Sequence, residues 1–246
     1  LTGRSSRSLR LGLALLCAGQ VFAGPPYLTD DPEPVDLHHW EIFLFAQGQT
    51  SAGARSGIFP AVEANYGPFR NAQIQVQVPM AYADGSDGRL RHGLGDLQVG
   101  FKYRFLEEES AGVQVSAYPQ IQVPTGREEE GLGGGHYRIF LPVWLQKSFG
   151  AWSVCGGGGW WRNPGADERD FAVGGLLVQR QFGETAFLGL EVFHQQASST
   201  EAPASTAWNV GGGITLSPHL QAIASGGRTF SGPSGSQFYV GLRGTL

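Results

Sequence analysis

Asp96-Leu97-Gln98-Val99-Gly100-Phe101-Lys102-Tyr103-Arg104-Phe105 alternates between apolar and polar residues without a break. Side chains of a strand point to opposite faces in turn, so Leu97, Val99, Phe101, Tyr103 and Phe105 share one face. Asp96, Gln98, Gly100, Lys102 and Arg104 share the other. A soluble sheet shows such a pattern where one face covers a core. Here it recurs along the chain in stretches of about ten residues, long enough to cross a bilayer as tilted strands.

Twelve strands are predicted, near 39–47, 58–66, 72–79, 96–105, 112–123, 137–148, 152–161, 170–180, 185–195, 208–216, 219–228 and 237–246. The segments between them alternate in length. Long polar connections fall at 48–56, 83–92, 125–136, 162–169, 196–206 and 229–236, and short ones at 67–71, 106–111, 149–151, 181–184 and 217–218. An even strand number, long external loops and short periplasmic turns describe a bacterial outer-membrane barrel. The fold class expected is therefore all-β, a twelve-stranded antiparallel transmembrane β-barrel. Soluble strands average about five to six residues, which argues against a sandwich. Trp40, Tyr66, Trp152, Trp160, Trp161 and Trp208 fall near strand ends, where aromatic girdles meet headgroups.

Composition agrees. Charged residues make up 15% of the chain, against about 25% in soluble proteins. A formal net charge of −4 argues against nucleic acid as a partner. Residues 1–23 read as a secretory signal, with Arg4, Arg7 and Arg10 before the apolar run Leu11 to Ala18 and a small-residue site at Val21-Phe22-Ala23. With Cys17 removed, Cys155 has no partner for an internal disulfide. Residues 24–38, rich in proline and acid, are expected at the periplasmic mouth or inside the lumen, and 39–246 form the barrel. Outer-membrane lipids and the barrel assembly machinery are the partners this implies, together with a small solute that the residues do not name. The last strand keeps apolar alternation through Phe238, Val240, Leu242 and Leu246, though the final residue is not aromatic.

Several stretches resemble one family. Gly24-Pro-Pro-Tyr-Leu-Thr-Asp-Asp-Pro-Glu-Pro34 followed by His39-Trp40-Glu41 is similar to the mature start of outer-membrane proteins named for the MetA pathway of phenol degradation and often called transporters. Gly93-Leu94-Gly95-Asp96 leading to Lys102-Tyr103-Arg104-Phe105, then Pro124-Thr125-Gly126, then Gly156 to Trp161 with Asn163-Pro164-Gly165, follow in the family's order. The resemblance implies passage of small hydrophobic or aromatic molecules.

Strand parity assigns Glu41, Glu63, Asp96, Lys102, Arg104, Arg180, Glu191 and Arg243 to the lumen, since Lys or Arg on the lipid face at midplane costs about 2–4 kcal/mol. These residues line a solute path or fill a narrow barrel with ion pairs. Their mixed sign argues against strong anion or cation selectivity. The leading functional reading is a passive channel. The alternatives are a lipid hydrolase built around His194 with Ser198 or Ser199, and a closed structural or adhesive barrel. No catalytic triad, cofactor motif or metal spacing stands out; Asp30, Asp31, Glu33 and Asp36 lack the loop spacing of a calcium site. The Glu128-Glu129-Glu130 run reads as a solvated loop.

Overall fold

The computed structural model describes residues 25–51, 53–85, 87–165, 168–199 and 202–246. The predicted signal and Cys17 lie outside the described residues. Strands β1 (Trp40–Ser51), β2 (Ala54–Tyr66) and β3 (Ala72–Asp84) are followed by β4, in two pieces, Leu90–Leu94 and Leu97–Leu106. Then come β5, also in two pieces (Gln114–Ala117 and Gln120–Val123), β6 (Arg138–Phe149), β7 (Trp152–Arg162) and β8 (Phe171–Phe182). Strands β9 (Ala186–Gln195), β10 (Ser205–Ser217), β11 (Leu220–Ser231) and β12 (Gly235–Thr245) complete the set.

Each strand pairs antiparallel with its neighbours in sequence, and β12 pairs with β1 from Glu41↔Thr245 to Ser51↔Gly235. The backbones of Trp40 and Leu246 finish the seam by exchanging hydrogen bonds of 2.8 and 2.9 Å. Apart from the Leu90–Leu94 piece, which pairs with β3 alone, every described strand is paired on both edges, so its ladder donors have acceptors in a hydrocarbon layer that offers none.

The two broken strands have local causes. In β4 the outward set switches from Leu90 and Leu94 to Val99, Phe101 and Phe105, so one extra residue sits at Gly95-Asp96. That bulge frees the Asp96 carboxylate to accept the backbone N–H groups of Gly126 and Gly134 at 3.0 and 2.7 Å. In β5, Pro119 has no N–H for the ladder. Its carbonyl still accepts from Phe101 N at 3.0 Å, so parity survives the break.

Outward side chains form a continuous apolar band. Leu44, Val76, Phe101, Val143, Leu176, Leu190, Val210 and Val240 are all exposed. Contiguous apolar patches on soluble monomers rarely exceed a few hundred Å². A belt of this kind around a closed ring has lipid as its solvent. Trp40, Trp152, Trp160 and Trp208 point outward at the strand ends. Trp161 departs from the girdle expectation: it turns inward and stacks on Phe140 with ring centres 4.6 Å apart.

The long connection after β5 is more than a solvated loop. Glu128–Glu130 form one turn of 3-10 helix, and Leu132 behind it is buried against the inward-facing Ala81 and Ala83 of β3. Asp96 pins both ends of this loop, so it folds into the mouth at the long-loop end.

Candidate functional site: the lumen and the segment that enters it

Residues 25–39 run inside the ring. At the short-turn end Leu37 bridges Gly67, and His38 N donates to Gly67 O at 2.8 Å. Further in, Val35 N donates to Gln73 Oε1 at 3.0 Å. At mid-barrel the Tyr27 hydroxyl donates to the carbonyl of Gly211 and Ser225 Oγ donates to Pro26 O at 2.5 Å. Four prolines suit this path, because each removes a backbone donor that the lumen would have to satisfy. Leu28 and Thr29 do carry N–H groups, and both donate to the Glu191 carboxylate. Asn209 Nδ2 donates to the same carboxylate at 2.6 Å.

The wall is shaped to receive the segment. A Cβ on Gly175 would lie 2.1 Å from Thr29 Oγ1, and one on Gly189 would lie 2.6 Å from the Tyr27 hydroxyl. Inward glycines on β8 and β9 thus leave the groove that Tyr27 and Thr29 occupy. Glycines on inward parity facing a proline-rich leader were the available sequence signal. Nothing in strand alternation alone reads them as a groove.

Charge holds the middle of the segment. Lys102 Nζ, buried, donates to Asp31 O at 2.9 Å, Asp30 Oδ1 at 3.2 Å and Asp31 Oδ1 at 3.3 Å, and it sits 4.8 Å from the Tyr118 ring centre. Arg104 lies 3.5 Å from Glu33 and also bonds Asn71 and Gln114. Burial pushes the Asp31 carboxyl up, with Asp30, Glu33 and Glu41 adding to the rise and Lys102 opposing it. Burial likewise raises Glu33, against the pull of Arg104.

A carboxyl whose pKa is raised on docking favours the docked state when protonated. That contribution is present below the free value and is lost as pH rises through the higher docked value. Residues 25–39 should therefore be held more firmly at pH 5 than at pH 8. Channel-opening frequency in planar bilayers at the two pH values would measure this, and Asp31→Asn should flatten the difference.

Of the eight predicted lumen residues, Glu63, Lys102 and Glu191 are buried inside the ring. Glu41 and Arg243 pair with each other at the short-turn end, and Arg104 and Asp96 take the roles given above. Arg180 does not belong with them. It shares the outward parity of Leu176 and Val178 and packs over Trp152 and Phe182, 5.3 and 5.0 Å from their ring centres. At a strand end a guanidinium reaches the headgroups by snorkelling, so polarity there does not report the lumen side. Of the residues in the hydrolase alternative, His194 Nδ1 lies 2.9 Å from Thr206 Oγ1, its cross-strand neighbour, and Ser199 Oγ accepts from Ala202 N at 2.9 Å.

Two cavities flank the segment. One of about 770 Å³ opens at the short-turn end, lined by Glu41, Phe43, Glu63, Lys102, Trp144 and Arg243 among others. One of about 210 Å³ lies on the other side, between Tyr27 and the wall at Gln47, Gln237 and Tyr239.

Known proteins place the fold. An outer-membrane channel of the COG4313 group from Pseudomonas putida F1 superposes with a TM-score of 0.71 at 14% identity, covering 88% of this chain and 98% of that one. A KdgM porin solved with disordered oligogalacturonate gives 0.56 at 9% identity, over 82% and 98%. The translocator domain of the autotransporter NalP from Neisseria meningitidis gives 0.53 at 10% identity, over 84% and 87%. No curated protein matches the sequence. The family described as "Putative MetA-pathway of phenol degradation" matches residues 69–241, from the turn before β3 to the last strand. The chain belongs to that family of outer-membrane β-barrels.

Proposed function

We propose that this barrel is a passive outer-membrane channel for small solutes, narrowed by its own residues 25–39. The observation that carries the reading is a polar lumen with cavities of about 770 and 210 Å³ on either side of the segment. A structural barrel has no need of space on both sides of a plug. Among the described residues no energy-coupling element stands in the interior, so the proposed flux follows the gradient, with selectivity set by lining charge and width. The family description and the aromatic wall formed by Phe140, Trp144, Trp161 and Phe171 favour ring-bearing solutes. Orientation follows the rule for such barrels, with the short turns and the larger cavity on the periplasmic side.

The test is conductance in planar bilayers together with liposome swelling over a panel of aromatic acids, aromatic alcohols and sugars. Small, solute-dependent currents are expected. A correctly folded barrel that passes no ion or solute, even with the segment released by substitution, would leave the closed-barrel reading in its place.

A further inference from the structure

The larger cavity is unevenly charged. Asp30, Asp31, Glu33, Glu41 and Glu63 line it against Lys102 and Arg243, with Asp36 and Glu184 also on its wall. The cations are already engaged: Lys102 with Asp30 and Asp31, Arg243 with Glu41, and Arg104 from outside the cavity with Glu33. Among the described residues no basic group lies within ion-pair distance of Glu63. Its carboxylate, buried on β2, accepts from Asn65 Nδ2 at 2.9 Å. A buried carboxylate held only by amides is costly unless a positive charge comes to it.

A second observation points the same way. Asn65 is only 2% exposed, and its Oδ1 has no hydrogen-bond partner; Gln221 Oε1, on the wall of the same cavity, also has none. With Glu63 ionised, the Asn65 amide nitrogen is the atom that faces its carboxylate. Its carbonyl is then the atom left over. A carboxylate and the unfilled Asn65 carbonyl beside it ask for a ligand that brings donors or positive charge. Beside Glu63 stands Phe43, its cross-strand partner, and Tyr118, Phe140 and Phe187 line the same cavity. Aromatic faces beside a carboxylate are the surroundings in which ammonium groups bind best. A volume of about 770 Å³ suits a small molecule.

We propose that this cavity is a binding site for organic cations, with the charged nitrogen at Glu63 and Asn65 and the apolar body against Phe43 and Tyr118. The site rests on the channel reading only for its role as a solute station; binding itself does not require conduction. Parity pointed to a balanced lumen because it placed Arg180 inside and left the acids of residues 30–33 out of the count. With those corrected, the periplasmic cavity carries surplus negative charge.

The test uses the full chain folded in detergent and three probes with the same ring: benzyltrimethylammonium, benzyl alcohol and benzoate. Equilibrium dialysis, corrected for micelles alone, should show the cation bound at least tenfold more tightly than the other two. Glu63→Gln should remove that preference, and Glu63→Asp should keep most of it. Equal binding of the three probes, or a preference untouched by Glu63→Gln in a variant that keeps heat-modifiable mobility, would overturn the site. Should Glu63→Gln fail to fold, the reversal potential of the wild-type channel in a KCl gradient decides: cation preference is expected, and none would overturn the proposal. Cation binding without any current would defeat the channel reading alone, and current without cation preference would defeat this inference alone.

Discussion

Lys102→Met should release residues 25–39 from the lumen. The ammonium makes contacts to Asp30, Asp31 and the carbonyl of Asp31, and no other described cation reaches either acid. Removing one partner of a buried ion pair costs about 3–5 kcal/mol, because the remaining charge keeps its desolvation penalty without compensation. Divided by about 1.4 kcal/mol per decade, that shifts the docking equilibrium by about two to three and a half orders of magnitude. Protonation of Asp31 recovers part of the loss, so the release should be larger at pH 8 than at pH 5. The barrel itself should survive, since the ladder uses only the backbone of Lys102 and the outer band does not include its inward-facing side chain. Two measurements check this. Single-channel conductance should rise severalfold, and a cysteine at position 29, buried in the docked segment, should become reactive to an impermeant maleimide. Lys102→Arg should do neither. Unchanged conductance and an unreactive Thr29→Cys in the Lys102→Met background would mean that Glu191 and the glycine groove hold the segment without the charge.

The strand count and the outward band were legible because a period of two is a strong signal and a lipid-facing strand must obey it nearly everywhere. The same logic located Glu63, Lys102 and Glu191 deep inside. It failed where physics loosens the rule. Arg180 sits at headgroup depth, where a long cation is tolerated outside, and Trp161 sits at the opposite rim, where an aromatic ring is tolerated inside. Residues 30–33 have no periodicity at all, and their place beside Lys102 depends on a chain path set by Gly175, Gly189 and Glu191, far away in sequence. Leu132 was hidden for a related reason: one apolar residue in an acidic loop carries no pattern, and only the Asp96 latch shows why it turns inward. Tertiary contacts between an irregular segment and a regular wall leave little trace in local sequence.

Leu190→Arg should cost about 2–4 kcal/mol of folding stability in a bilayer, the range for a cation on the lipid face at midplane. Leu190 lies at the middle of β9, paired with Val178 and Val210, and all three side chains point outward. Phe230→Arg provides the depth control. Phe230 also faces outward, but one residue from the end of β11, where an arginine reaches water and costs about 0–1 kcal/mol. Reversible urea unfolding in liposomes of phosphatidylcholine would give both values, and the two should differ by at least 1 kcal/mol. A protein whose band faced water would respond in the opposite sense: Leu190→Arg would be neutral to folding and would raise solubility without detergent. Equal effects of Leu190→Arg and Phe230→Arg would remove the depth dependence that only a hydrocarbon slab imposes, and with it the assignment of the outer face to lipid.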